Sequence, residues 1–166
     1  MNSKQIVAAV SVVALLVILV YPALATGTAT VQIRSSKIHG ADHVFITIGN
    51  VWAHRSGQSG SEGWQLIANQ SQTVDLISLE NTSMVFGKGQ IALGDYDTVR
   101  MEISNITWVF NGTTKTLEVE SSQIQSNFDF TVQAGRESII ALVLTGHQEE
   151  IRGTNFFVPI LTATTG

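Results

Sequence analysis

Cysteine is absent from the sequence, and that one absence removes structural disulfides, thiolate-bound metals and cysteine nucleophiles together. Proline is nearly absent too, with two residues in 166, so most of the chain is free to form regular backbone pairing. Charge is sparse at 13% of residues, and the formal net charge is −4. Nine basic residues less Lys4 of the amino-terminal leader leave eight, against thirteen acidic ones. A mildly acidic chain with scattered Lys and Arg lacks the basic stripe that nucleic acid requires, so no nucleic-acid partner is expected. It equally lacks the basic cluster that an anionic membrane surface attracts. No stretch beyond the leader repeats apolar residues at helical spacing for long enough to make an extended amphipathic helix. Catalytic signatures are missing as well. Gly57-Gln58-Ser59-Gly60 fails the nucleophile-elbow pattern at its last glycine, and no H-E-x-x-H zinc motif is present, since Gly40 follows His39 where that motif has glutamate.

What is present begins with a targeting segment. Residues 1–4 form a short basic leader, residues 6–20 carry no charge, and Pro22 precedes the small-x-small triplet Ala23-Leu24-Ala25. That order of parts predicts a secretory signal peptide over residues 1–25, cleaved after Ala25, with a mature domain over 26–166. A retained anchor helix is the alternative, because residues 6–25 just reach the ~20 residues of a membrane span. The proline beside the cleavage triplet favours removal.

The remaining 141 residues, 166 less 25, suit one domain with its own core. They are organised around residues 90–104. Val99, Met101 and Ile103 alternate there with Thr98, Arg100, Glu102 and Ser104, which reads as a strand with one dry and one wet face. Gly94, Asp95 and Tyr96 precede it. They predict a turn at Gly94 and Asp95, and a corner where the Tyr96 ring is buried and its hydroxyl needs a partner. Residues 28–34, 44–51, 64–68 and 128–132 read as further strands, with Gly49 marking a bulge. Residues 73–79 fit either a strand or a helical turn. Residues 84–86 and 90–93 flank what reads as a Gly87-Lys88-Gly89 turn. Asn111-Gly112 predicts a two-residue type I′ hairpin. Residues 139–144, apolar on both faces, predict the most buried strand. Pro159 assigns residues 156–161 to an edge. The expected fold is therefore all-β, a single antiparallel β-sandwich of about eight to nine strands, immunoglobulin-like or transthyretin-like, preceded by the signal-peptide helix.

The order ITIGNVWAH, GWQLI, VDLISL, I-x-x-G-x-Y-x-x-V-R and VPIL resembles the domain of unknown function 4382 family of exported bacterial and archaeal proteins, often lipoproteins. Its most telling pieces here are Asp75-Leu76, Gly94, Tyr96, Arg100 and Val158-Pro159. The resemblance covers residues 28–161 and implies a β-sandwich outside the cytoplasm, without catalytic residues to transfer. This chain has no cysteine to lipidate, so that membrane anchor is not implied.

Candidate chemistry is thin. His39 and His43 flank a turn with Asp42 between them, and Asp95 with Asp97 could hold calcium; surface histidines and turn-forming aspartates are the preferred readings, so no metal and no cofactor is expected. Glu118 and Glu120 are assigned to the wet side of a hairpin. Trp52, Trp64 and Trp108 are either core residues or a flat platform for stacking on sugar rings, and core packing is preferred for at least two of them. Asn69, Asn81, Asn105 and Asn111 stand in N-x-[ST] sequons and are candidate glycosylation sites.

The resulting expectation is an exported, non-catalytic surface or secreted module for structural or interaction roles. It self-associates or contacts a surface protein or polysaccharide. One version inserts the strand at residues 26–34 into the sheet of a neighbouring copy. The alternatives are a carbohydrate-binding module using an exposed tryptophan and, third, a small hydrolase using Asp95 or Asp97 with a histidine.

Overall fold

The computed structural model describes residues 25–151 and 154–166 apart from residue 120; the expected signal peptide, save Ala25, and Glu120 lie outside the described residues. Ten strands follow one another with two 3-10 turns between them: β1 (Thr26–Ser35), β2 (His43–Arg55), β3 (Trp64–Ala68), β4 (Gln72–Asp75), β5 (Met84–Ala92), β6 (Gly94–Phe110), β7 (Thr113–Val119), β8 (Gln123–Val132), β9 (Glu137–Ile151) and β10 (Thr154–Thr165). The all-β expectation holds. The two-sheet arrangement does not describe the hydrogen bonding, which joins all ten strands in one sheet of order β3-β2-β6-β7-β10-β9-β1-β5, with β4 on β2 and β8 on β6. The sheet curls until its two end strands, β3 and β5, lie side by side in a nearly closed barrel. Nor is the pairing wholly antiparallel, because β1–β9 and β7–β10 run parallel.

Two glycines explain the closure. Gly87 and Gly89 lie within the continuous strand β5 and not in a turn. A β-carbon on Gly89 would stand 2.3 Å from the Ile67 carbonyl oxygen, and one on Gly87 would stand 2.8 Å from the Ala68 methyl. Missing side chains thus let the backbones of β5 and β3 approach where no ladder joins them.

Alternation builds the core. Val44, Ile46, Ile48, Val51 and Ala53 of β2 face Val99, Met101, Ile103 and Ile106 of β6 inside the barrel, all at most 1% exposed. Tyr96 of β6 is also fully buried. Ile140, Leu142 and Leu144 of β9 are 0% exposed, and β9 is flanked by β1 and β10, but the most buried strand is β1, in which six of ten residues are buried. Residues 73–79 contain both expected forms, since β4 ends at Asp75 and a 3-10 turn follows at Ile77–Leu79. Asp75 makes the change of direction: its Oδ1 accepts from the backbone N–H groups of Val44 at 3.1 Å and Ile77 at 3.2 Å. Asn111 and Gly112 have φ of 48° and 73°, the sign pattern of a type I′ turn.

The expected free amino-terminal strand is an interior one. β1 pairs with β5 along one edge and with β9 along the other. Among the described residues one open edge runs along β10, which pairs with β7 at Phe156 and Phe157, and Pro159 sits on it as an edge proline does.

Candidate functional site

The outer surface of the β2, β3 and β6 region carries the densest chemistry. Register sets it out in two rows. Leu66, Trp52, Arg100 and Gln125 are successive cross-strand neighbours, and Trp64, His54, Thr98 and Asn127 form the row beside them. Period-two alternation requires this once β2 and β6 bury their apolar residues inward. The Arg100 guanidinium reaches across β2 and lies 4.0 Å from the centroid of the Trp64 ring and 5.1 Å from that of Trp52. Such contacts are worth about 0.5–2 kcal/mol according to how dry they are. Leu66 remains 41% exposed at the margin. None of the guanidinium donors bonds a described residue, and Nε is buried without a partner.

The three tryptophans therefore part company. Trp108 is core, 5% exposed, with its Nε1 donating to the Gly40 carbonyl at 2.9 Å and its ring tilted against Phe157. Trp52 and Trp64 are half-buried outer-face residues, so core packing holds for one tryptophan and not for two. They are not a bare platform either, because Arg100 covers both rings.

His54 and Asp97 pair beside this cluster, Nδ1 to Oδ1 at 3.1 Å. A general base would need the other ring nitrogen open to substrate. Gly63 packs against the Nε2 side of the ring, where a β-carbon would lie 2.4 Å from that nitrogen. Asp95, two residues earlier, accepts from the Thr131 hydroxyl at 2.7 Å, so the two aspartates serve different partners. The other histidine candidates separate as well. His43 Nδ1 lies 2.8 Å from Asp75 Oδ2, while Asp42 Oδ2 accepts from the backbone N–H of Asn111 at 2.7 Å. Among the described residues no group of three His, Cys, Asp or Glu is placed to hold a metal.

Further along the same strands β2 bulges between Ile48 and Val51. The gap between the ends of β3 and β4 opens there into a cleft of about 480 Å³, lined by Gly49, Asn50, Asn69, Gln70, Ser71, Glu102, Ile103, Ser104 and Ser122. Among the described residues, Glu102 is the one charged group in it. Its carboxylate accepts from the Asn50 backbone N–H at 3.4 Å and from Gln123 Nε2 at 3.5 Å, both long.

At the corner of the barrel, Gly94 has φ of 134°, and the Tyr96 hydroxyl meets the Ala92 carbonyl at 2.7 Å. Burial raises the Tyr96 pKa above its ordinary value, and nearby Arg55 partly offsets this. Tyr96 thus fills the expected corner as scaffold, while Asp95 lies within β6 and not in a turn. All four sequon asparagines, Asn69, Asn81, Asn105 and Asn111, are exposed. Asn105 occupies a bulge of β6 at φ 48°.

Sequence reasoning missed the Arg100 cluster and the cleft. Alternation alone assigns Arg100 to a wet face, and only the pairing of β3 on β2 brings Trp64 to it. The residues of the cleft come from four separate segments that no local pattern joins.

The chain belongs to the domain of unknown function family DUF4382, whose profile matches residues 26–147. The match ends within β9, so β10 lies beyond it. Neither a curated protein nor a solved structure matches the chain.

Proposed function

We propose that this protein is an exported, non-catalytic binding module whose contact surface is the outer face of β2, β3 and β6. The observation that carries this reading is the Trp52–Arg100–Trp64 stack with exposed Leu66 beside it. A half-buried arginine held by two aromatic rings and bonded to no described residue presents donors in a fixed position. Together with an exposed leucine it offers the mixture of aromatic, arginine and apolar surface that binding sites favour. Export rests on the leader at residues 1–25. The absence of catalysis rests on the dispersal of Asp95 and Asp97 to separate partners.

Polysaccharide is the partner class the face suits, and the finer sandwich architecture expected of the family adds nothing to that choice. Assembly by donation of residues 26–34 has weaker support, since β1 would have to leave both β5 and β9. The test is retention of the processed protein on insoluble polysaccharides, compared with Leu66→Asp and Trp52→Ala. Retention lost in both variants, with unchanged thermal unfolding, supports the reading. Equal retention of all three proteins, or a polymer of the processed chain in sedimentation that survives both substitutions, would overturn it.

A further inference from the structure

We infer that the cleft between Asn50, Asn69 and Glu102 is a subsite for a neutral, hydroxyl-rich sugar, continuous with the Leu66–Trp52–Arg100 row. This deepens the proposed function and rests on it. The cleft begins one step along β2 from Trp52, since Asn50 and Trp52 lie on the same side of the strand. That step is about 6.6 Å, so a chain lying on the face would pass from one region to the other.

The chemistry of the lining selects the ligand. A sugar hydroxyl both donates and accepts, so it needs a mixed set of partners. Here the side chains of Asn50, Asn69, Gln70, Ser104 and Ser122 make no hydrogen bond to any described residue. Glu102 makes only its two long contacts and keeps acceptor capacity for a pair of hydroxyls. Arg100, two residues along β6 on the same face, holds its donors uncommitted between the two indoles. It forms no ion pair with Glu102, because among the described residues the only ion-pair geometries are His43–Asp75 and His54–Asp97.

A polyanionic ligand meets opposition instead. Glu102 and Asp97 flank the arginine on the same face, and the chain as a whole is acidic. A site for cleavage would place two carboxyl groups about 5–9.5 Å apart around a glycosidic bond. Among the described residues the cleft has one, so it holds a sugar without cutting it.

The experiment is affinity electrophoresis and calorimetry of the processed, unglycosylated protein with soluble neutral glucan, mannan and xylan, and with polygalacturonate. The variants are Glu102→Gln, Asn69→Ala and Leu66→Asp. The expected result is binding of at least one neutral polymer, insensitive to salt, with affinity reduced about tenfold by Glu102→Gln and measurably by Asn69→Ala. Asn69 lies in an exposed loop, so that variant decides the matter should Glu102→Gln not fold. Full affinity in both cleft variants with loss in Leu66→Asp would overturn the subsite and leave the face reading standing. Preference for polygalacturonate that fades with salt would overturn the neutral-sugar assignment. Release of reducing ends would overturn holding without cleavage. Failure of the intact protein to bind any of these polymers would overturn the subsite, and loss of retention on insoluble material as well would take the face reading with it.

Discussion

The hydroxyl of Tyr96 lies 2.7 Å from the carbonyl oxygen of Ala92, four residues upstream, and fastens the end of β5 to the start of β6. Gln65 of β3 adds a second tie, its Oε1 accepting from the Ala92 backbone N–H at 2.8 Å and lying 3.1 Å from the same hydroxyl. Three strands that no ladder connects at this point are thereby held together. Tyr96→Phe keeps the ring, stacked on Phe130 with centroids 5.0 Å apart, and removes the bond. The expected cost is about 1 kcal/mol, read as a lower urea midpoint with unchanged slope.

The same tyrosine predicts a pH dependence. Burial raises its pKa above the ordinary value, so the folded state holds the phenolic proton more tightly than the unfolded state does. The resulting stabilisation is complete below the unfolded value near 10 and is lost as pH rises through the folded value. Unfolding midpoints measured across alkaline pH should therefore fall in the wild type. In Tyr96→Phe this component of the fall should be missing, and an identical profile in the two proteins would contradict the assignment.

Gly89 lies where β5 approaches the backbone of β3. Its β-carbon would collide with the Ile67 carbonyl oxygen, a backbone atom with little room to move. Gly89→Ala should cost up to about 3 kcal/mol, the upper end of the range for an overpacked interior site. Gly57→Ala is the comparison: Gly57 has φ of 75° with nothing near its missing β-carbon, so only local strain of about 1–2 kcal/mol applies. Urea unfolding of the two variants should rank Gly89→Ala as the more destabilised.

These glycines also show where the sequence is legible and where it is not. Turn chemistry is local, so Asn111-Gly112 and Gly94 can be read from a few residues. Alternation is local too, and it correctly divides Val99, Met101 and Ile103 from Thr98, Arg100 and Glu102. Gly87 and Gly89 carry the composition of a turn, and their actual role depends on which strand lies alongside. Register between distant strands is likewise invisible, and with it the meeting of Arg100 with Trp64 and of His54 with Asp97. The curling of one sheet into a barrel, in place of two stacked sheets, follows from the two-residue bridge between β7 and β10, which no periodicity encodes.

Arg100 provides the sharpest test of the outer face. Its guanidinium is held by the Trp52 and Trp64 rings and makes no hydrogen bond to a described residue. A lysine retains the charge but loses the planar group that lies over two indoles. Arg100→Lys should therefore lower stability by about 0.5–2 kcal/mol and increase acrylamide quenching of the fluorescence of Trp52 and Trp64, leaving buried Trp108 unaffected. Trp108→Phe used as a background isolates the two outer indoles and makes the change directly visible. Quenching that is the same with arginine and lysine in that background would mean that the rings are shielded by something other than the guanidinium. In that event Arg100 is a solvated charge like its neighbours along β6, and the face loses the fixed donor on which its binding role depends.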